Sequence, residues 1–217
     1  MKKCKRKMCA GRRLRKRQEA EIKRLKKEVA RLSAQRCQEA PVDGVRPPEA
    51  ALIFGSEVEA IRAHVLEYSR LETGGSLYGW WSETGLPVIA LATGPGKNAQ
   101  HHECSFHADE AYSFVLGNAL VEYGLQHLGE WHSHHHMRLN HPSSIDCDAM
   151  RTSLATPNSP IRRFFCGIAN IVRGGEVTFN AYYFSKGSGT SVHHTPIFVK
   201  PGCSPIRAGL KNVLATI

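Results

Sequence analysis

Long apolar runs are missing from this 217-residue sequence, and none approaches the roughly 20 residues needed to cross a bilayer as a helix. A helical membrane span is therefore excluded as the basis of its function. The opening MKKCKRKMCAGRRLRKR has charge but no apolar stretch behind it, so it does not read as a secretory signal. Serine is nearly absent there and lysine is as common as arginine, a poor fit to a mitochondrial transit peptide. The seven cysteines, at positions 4, 9, 37, 104, 147, 166 and 203, contain no C-x-x-C pair. An odd, scattered set without an export signal argues against a disulfide framework and for a reducing compartment, so the expected location is cytoplasmic. Cys4 and Cys9 read as surface thiols in a charged arm, and Cys166, within FFCGI, as a small core residue.

Acidic residues are scarce at one end. Residues 1–38 hold 16 Lys/Arg against 3 Asp/Glu, whereas the remainder holds 13 against 16. The net charge of +10 thus describes a mildly acidic body carrying a basic arm. The spacing predicts a helix in the arm from about Arg13 to Ala34. Ile22, Leu25, Val29 and Leu32 recur at 3-4-3 intervals, a seam of two heptads and so a marginal coiled coil on its own. Self-association, docking, and a grip on an anionic partner (nucleic acid or anionic lipid) are the functional readings of residues 1–38. A solvated charged helix is the plain one. No aromatic residue interleaves the basic ones, which weakens the case for single-strand binding.

Four parts are expected: a basic helical arm over 1–38, a linker over 39–50 rich in proline and glycine, a domain over 51–190, and a tail over 191–217. In the domain, ALIF reads as a short strand, and Ser56 to Glu59 as a capping box opening a helix. Val58, Ile61 and Val65 give that helix its apolar face, and it ends near Tyr68. Gly75–Trp81, Val88–Ala92 and about His102–Phe106 read as strands. A helix over 109–123 takes its apolar contacts from Tyr112, Phe114, Val115, Leu120 and Val121. Leu125–His134 is a strand and Ser144–Leu154 a helix. Phe164–Val172 and Val177–Phe184 pair across a turn at Arg173-Gly174-Gly175. The tail from Gly187 carries no clear pattern. Mixed strands with interspersed helices make the fold class α+β.

The segment EWHSHHHMRLNHPSSIDCDAM, residues 130–150, carries most of the chemistry. On a strand, His132 and His134 point to one face, because side chains alternate with period two. A carboxylate from the next helix, Asp146, would complete a three-ligand set with a fourth position open, as in catalytic rather than structural zinc sites. Ser143 and Asp146 equally fit a helix cap, since Ser-x-x-Asp resembles a capping box. Glu72 stands before Gly74-Gly75 where a strand begins, in the manner either of a site acid or of a solvated turn residue.

Together these segments resemble the JAMM metalloprotease family, also called MPN-plus or JAB, whose pattern is a Glu, then His-x-His, then Ser-x-x-Asp. His134 is followed by eight residues and then Ser143-Ser-Ile-Asp146, the family spacing. Leu71-Glu72-Thr73-Gly74-Gly75-Ser76-Leu77-Tyr78-Gly79 and Ala92-Thr93-Gly94-Pro95-Gly96 look like its bacterial, deubiquitinase-like branch. His135 stands where many members have proline, and His-Ser-His-His is a frequent reading in that branch. The resemblance covers about residues 50–185 and excludes the arm.

It implies a JAB/MPN-type, cytidine-deaminase-like mixed β-sheet flanked by helices. It also implies zinc (Zn2+) on His132, His134 and Asp146, with Glu72 as proton carrier and Ser143 as oxyanion donor. The implied partners are a ubiquitin-like protein and its conjugates, within a bacterial ubiquitin-like conjugation pathway, antiviral defence being one such setting. Gly94–Phe106 lies where members often carry a substrate-clasping insertion. The rivals are a metallopeptidase for other small amides and a non-catalytic MPN scaffold whose arm binds nucleic acid or membrane. His135 and His136 read as outer or solvent-facing residues. His101, His102, His107, His193 and His194 read as surface residues.

Overall fold

Alternation along the strands decides which side chains are buried together, and it sorts the apolar residues into three clusters. In the computed structural model, which describes residues 47–83, 85–135, 139–156, 161–186 and 192–214, ten strands and four helices follow one another. They are β1 (Ala51–Phe54), α1 (Gly55–Glu67), β2 (Gly74–Trp81), β3 (Pro87–Ala92), β4 (Gln100–His101), β5 (Phe106–His107) and α2 (Glu110–Glu122). Then come β6 (Gln126–Ser133), α3 (Ser144–Ala155), β7 (Arg163–Ile171), β8 (Val177–Ser185), β9 (His193–Thr195), β10 (Ile197–Lys200) and α4 (Pro205–Leu214). The arm helix expected over 13–34, Cys4, Cys9, Cys37 and His136 lie outside the described residues. Among the described residues no helix is long and apolar enough to cross a membrane.

Eight strands form one mixed sheet in the order β10-β1-β3-β2-β6-β7-β8-β9, and β4-β5 form a separate ribbon. This is the α+β arrangement expected. β6 lies between antiparallel β2 and parallel β7. The hairpin β7–β8 closes through Gly174 and Gly175, both at positive φ, where glycine is at no steric disadvantage. The two edge strands β9 and β10 are joined by Pro196 alone, so the sheet must roll until its edges meet. A tail without apolar period thus supplies both outer strands, β9 pairing with the neighbouring β8 and β10 with β1, which is remote in sequence.

On one face Ile61 and Val65 of α1 pack with Leu77, Trp131, Phe165 and Tyr183. On the other, Leu116 and Leu120 of α2 and Ile206 of α4 cover Tyr78, Trp80 and Leu91. Met150 and Leu154 of α3 cover Phe164, Cys166 and Ile168. Each large apolar side chain so buried contributes about 1.5–3 kcal/mol.

Three local expectations are corrected. The N-cap of α1 is Phe54, without a side-chain cap. Ser56 is engaged elsewhere, donating its hydroxyl to Glu57 at 2.7 Å and accepting the Ser204 N–H at 2.8 Å. In α2, Phe114, Val115 and Val121 are exposed and Leu116 joins Leu120 inside, because the helix is apolar on several sides and its composition does not select a face. Of the strand expected over 102–106, residues 102–105 are a turn between β4 and β5 and only Phe106 is in a strand.

Glu57 is fully buried, and its partner comes from the tail. Arg207 donates from Nε and from one terminal nitrogen to its two oxygens at 2.9 and 2.7 Å, and further to the Ala92 carbonyl at 2.7 Å. The Ala92 N–H donates to the same carboxylate at 2.8 Å. A buried ion is tolerated when paired and hydrogen-bonded in this way, and the pair ties α4 to α1 and β3.

Candidate active site

β6 ends where its neighbours leave room. Trp131 faces the core and donates its indole N–H to the Thr93 carbonyl at 3.0 Å. By alternation His132 faces the opposite side, and His134 follows it one residue beyond the strand, its N–H held by the Ala169 carbonyl of β7 at 3.1 Å. The chain then returns through residues 139–142. Asn170 donates to the Leu139 carbonyl at 2.6 Å and Tyr182 to the Asn140 carbonyl at 2.7 Å, pinning that loop to β7 and β8. Both anchors escaped the sequence reading, since their partners are backbone atoms that leave no pattern.

The loop delivers α3 with its first turn aimed at the histidines. Ser143 caps the helix, accepting the Asp146 N–H at 3.2 Å, while Asp146 accepts the Ser143 N–H at 2.6 Å, a complete capping box. The same carboxylate accepts the Ser143 hydroxyl at 2.7 Å. It also faces both imidazoles, Oδ1 lying 3.3 Å from His132 Nε2 and Oδ2 3.3 Å from His134 Nε2. The cap and ligand readings of Asp146 are therefore compatible, since one geometry would serve both. Burial raises the Asp146 pKa, but hydrogen bonds from His132, His134 and Ser143 outweigh it and hold the group far below the usual carboxylate range.

The two Nε2 atoms are 2.9 Å apart. His132, His134 and Asp146 each offer a donor atom within 4.8 Å of the others. Two imidazole nitrogens and a carboxylate oxygen thus converge on one point, and His134 is only 1% exposed. Such a set calls for a cation, and two nitrogens with one carboxylate and no thiolate suit a divalent transition metal with an open position. His135 is half-buried and stands outside this cluster.

Glu72 approaches from β2. Thr73 and Ser133 exchange two hydrogen bonds, the Ser133 N–H to the Thr73 carbonyl at 2.9 Å and the Thr73 N–H to the Ser133 hydroxyl at 3.0 Å. With Gly74 opposite His132 and Thr73 bonded to Ser133, Glu72 lies at the end of β6 that carries the histidines. Glu72 is 3% exposed. Its backbone is held by the β4–β5 ribbon: its N–H donates to the His102 carbonyl at 2.7 Å, and its carbonyl lies 2.9 Å from His101 Nδ1. His101 is stacked on Tyr68 at 3.8 Å between ring centroids. It is a half-buried clamp on Glu72 and not the surface residue expected, whereas His102, His107, His193 and His194 are exposed. No ligand pattern could reveal it, because it acts through a main-chain carbonyl.

Close approach explains Gly74-Gly75. A Cβ on Gly74 would meet the Trp131 carbonyl and the Phe106 ring, the ring at 2.7 Å; one on Gly75 would meet the Thr93 carbonyl carbon at 2.8 Å and the Gly94 oxygen at 3.0 Å. Gly75→Ala is therefore expected to destabilise the fold by at least about 1–3 kcal/mol, the usual cost of forcing extra volume against packed atoms. A urea titration of the variant checks this through its lowered midpoint.

These residues sit within a wider likeness. The sequence pattern of the prokaryotic homologs of the JAB domain matches residues 56–182, from α1 into β8. The chain is 28% identical over 131 residues to the probable metalloprotease y4qB of Sinorhizobium fredii (strain NBRC 101917 / NGR234), across 55% of this chain and 77% of that one. Its fold is similar to the solution structure of protein DSY2949 from Desulfitobacterium hafniense, with a TM-score of 0.55 and 15% identity, over 70% of this chain and 94% of that one. At that identity the second likeness concerns the fold alone.

Proposed function

Because this chain belongs to the prokaryotic homologs of the JAB domain and is a metal-dependent peptidase, we propose that it is a zinc isopeptidase that removes or processes a ubiquitin-like modifier. The observation that carries this reading is the convergence of His132, His134 and Asp146 beside buried Glu72.

In this reading the two imidazoles and the carboxylate hold zinc. Bound there, the metal supplies the acidity that brings the pKa of a water toward about 7 and polarises the amide carbonyl. Glu72 accepts the proton of the attacking water and passes it to the departing amine, so one carboxylate serves as base and then as acid. Its backbone clamp, His101 and His102 on one side and Ser133 by way of Thr73 on the other, keeps it in place for both transfers. Ser143 fixes Asp146 through its N–H and hydroxyl. The hydroxyl turns to the developing oxyanion when substrate is bound, a contribution of about 3 kcal/mol by analogy with other oxyanion donors. No cysteine takes part.

The surroundings of Glu72 and the family likeness support this substrate class. The rolled main sheet has its two edges brought together at Pro196, whereas the β4–β5 ribbon is a separate pair of strands. An extended, unbranched peptide adding to that ribbon would pass beside Glu72, a binding mode in which main-chain hydrogen bonds supply affinity. A modifier with an extended C-terminal tail meets this demand.

The test is a cleavage assay with two substrates, a ubiquitin-like protein joined through its C-terminus to a lysine side chain and a short peptide amide. Release of the modifier by the zinc-loaded chain, stopped by a chelator, is expected. Hydrolysis of the short amide alone would replace this reading with that of a small-amide peptidase.

A further inference from the structure

Helix α2 has two apolar faces. Leu116 and Leu120 are buried against the sheet, while Phe114, Val115 and Val121 are 71%, 54% and 62% exposed. Ala111, Phe114, Asn118 and Val121 recur at 3-4-3 intervals along the outer face, with Val115 beside them, and Ala111 and Asn118 are exposed too. Among the described residues nothing covers this stripe. Three large apolar side chains aligned on one face mark an interaction surface more often than scattered exposure does. An Asn within such a seam is a known setter of register. Glu110 and Glu122 flank it, and the helix contains no Lys or Arg.

One segment of the same chain has the complementary character. Ile22, Leu25, Val29 and Leu32 recur at the same 3-4-3 intervals, and residues 22–32 carry Lys23, Arg24, Lys26, Lys27 and Arg31 against Glu28 alone. We propose that residues 22–32 dock as a helix on the outer face of α2 in the same molecule. The two apolar seams would meet, and Lys26, directly beside the arm's seam, would lie toward the side on which Glu110 and Glu122 flank that of α2. As helices, both seams are about 15 Å long, so they match end to end.

The connection permits it. Residues 33–46 reach at most about 46–50 Å when extended, against a radius of gyration of about 15 Å for a domain of this size. They rejoin the described chain just ahead of β1, whose Phe54 and Leu52 pack in the same cluster as Leu116 and Leu120 of α2. Two heptads pair weakly when free. A short tether raises the local concentration to about the millimolar range, which favours the chain's own arm over a second copy.

Limited trypsin digestion of the full chain, followed by mass spectrometry, tests this directly, because cleavage tracks the undocked population. Cuts after Lys26, Lys27 and Arg31 are expected to be slow in the parent chain. They should be about tenfold faster in Phe114→Asp and in Leu25→Asp, with the double variant no faster than either. Leu66→Asp, at an exposed position of α1, should change nothing. Phe114 is largely exposed, so its replacement spares the core, and the Leu25 variant repeats the test from the other side. Equal cleavage rates in the parent and Phe114→Asp chains would overturn the proposal. So would protection that appears only as sedimentation reveals a dimer, since the occupant would then be a second copy.

Discussion

Glu72→Gln is expected to lower kcat by about 10²–10⁴-fold, the range for loss of a general acid–base group, while the bound metal stays in place. Glutamine keeps the size and much of the hydrogen bonding of glutamate but cannot take up a proton. Burial of Glu72 and its doubly held backbone leave little room for a nearby group to substitute. The measurement pairs single-turnover cleavage with metal content on the same preparation. A variant that retains metal and loses turnover isolates proton transfer from metal binding. A fall of less than about threefold in kcat would remove Glu72 from the chemistry. His134→Ala, in contrast, is expected to lose metal and activity together.

The largest stability effect is expected far from the site, at Arg207. Truncating it to alanine leaves the Glu57 carboxylate buried without its cation, which costs about 3–5 kcal/mol when one partner of a buried pair is removed. In a domain of this size that corresponds to a fall in Tm of about 6–20 °C. Arg207 also supplies the hydrogen bond to the Ala92 carbonyl, so the loss reaches β3 as well as α1. Thermal melts followed by circular dichroism read the shift. Replacing both members with apolar residues, Glu57→Leu with Arg207→Met, is expected to recover part of the stability, because neither charge is then stranded while the Ala92 N–H and carbonyl still lose these partners. A single-variant Tm within about 2 °C of the parent would mean that solvent reaches Glu57 freely.

What could be read in the sequence follows its local periodicities. His132 and His134 were legible because a strand sends alternate residues to one face, and Asp146 because a helix start fixes what its first turn presents. The choice between cap and ligand for Asp146 could not be made from spacing, and the structure shows why: the carboxylate that accepts the Ser143 N–H also faces both imidazoles. Glu72 was legible only by resemblance, since its position depends on the pairing of Thr73 with Ser133, sixty residues away.

Elsewhere the local signal misled. Ser56 and Glu59 have the spacing of a capping box, yet Ser56 is engaged by Glu57 and Ser204. Phe114, Val115 and Val121 read as core, yet Leu116 and Leu120 are the residues inside. Arg207 is separated from Glu57 by 150 residues, and no pattern in either helix announces the pair. The strands β9 and β10 have three and four residues, too few to show a period.

The measurement closest to the central claim is the metal content of the untagged chain, purified without chelator, beside that of His134→Ala. About one zinc per chain is expected in the parent, and almost none in the variant, which lacks one of the three donors proposed for the ion. A parent chain without bound metal, or a His134→Ala chain that keeps the parent's full zinc content, would contradict a metal centre built on His132, His134 and Asp146.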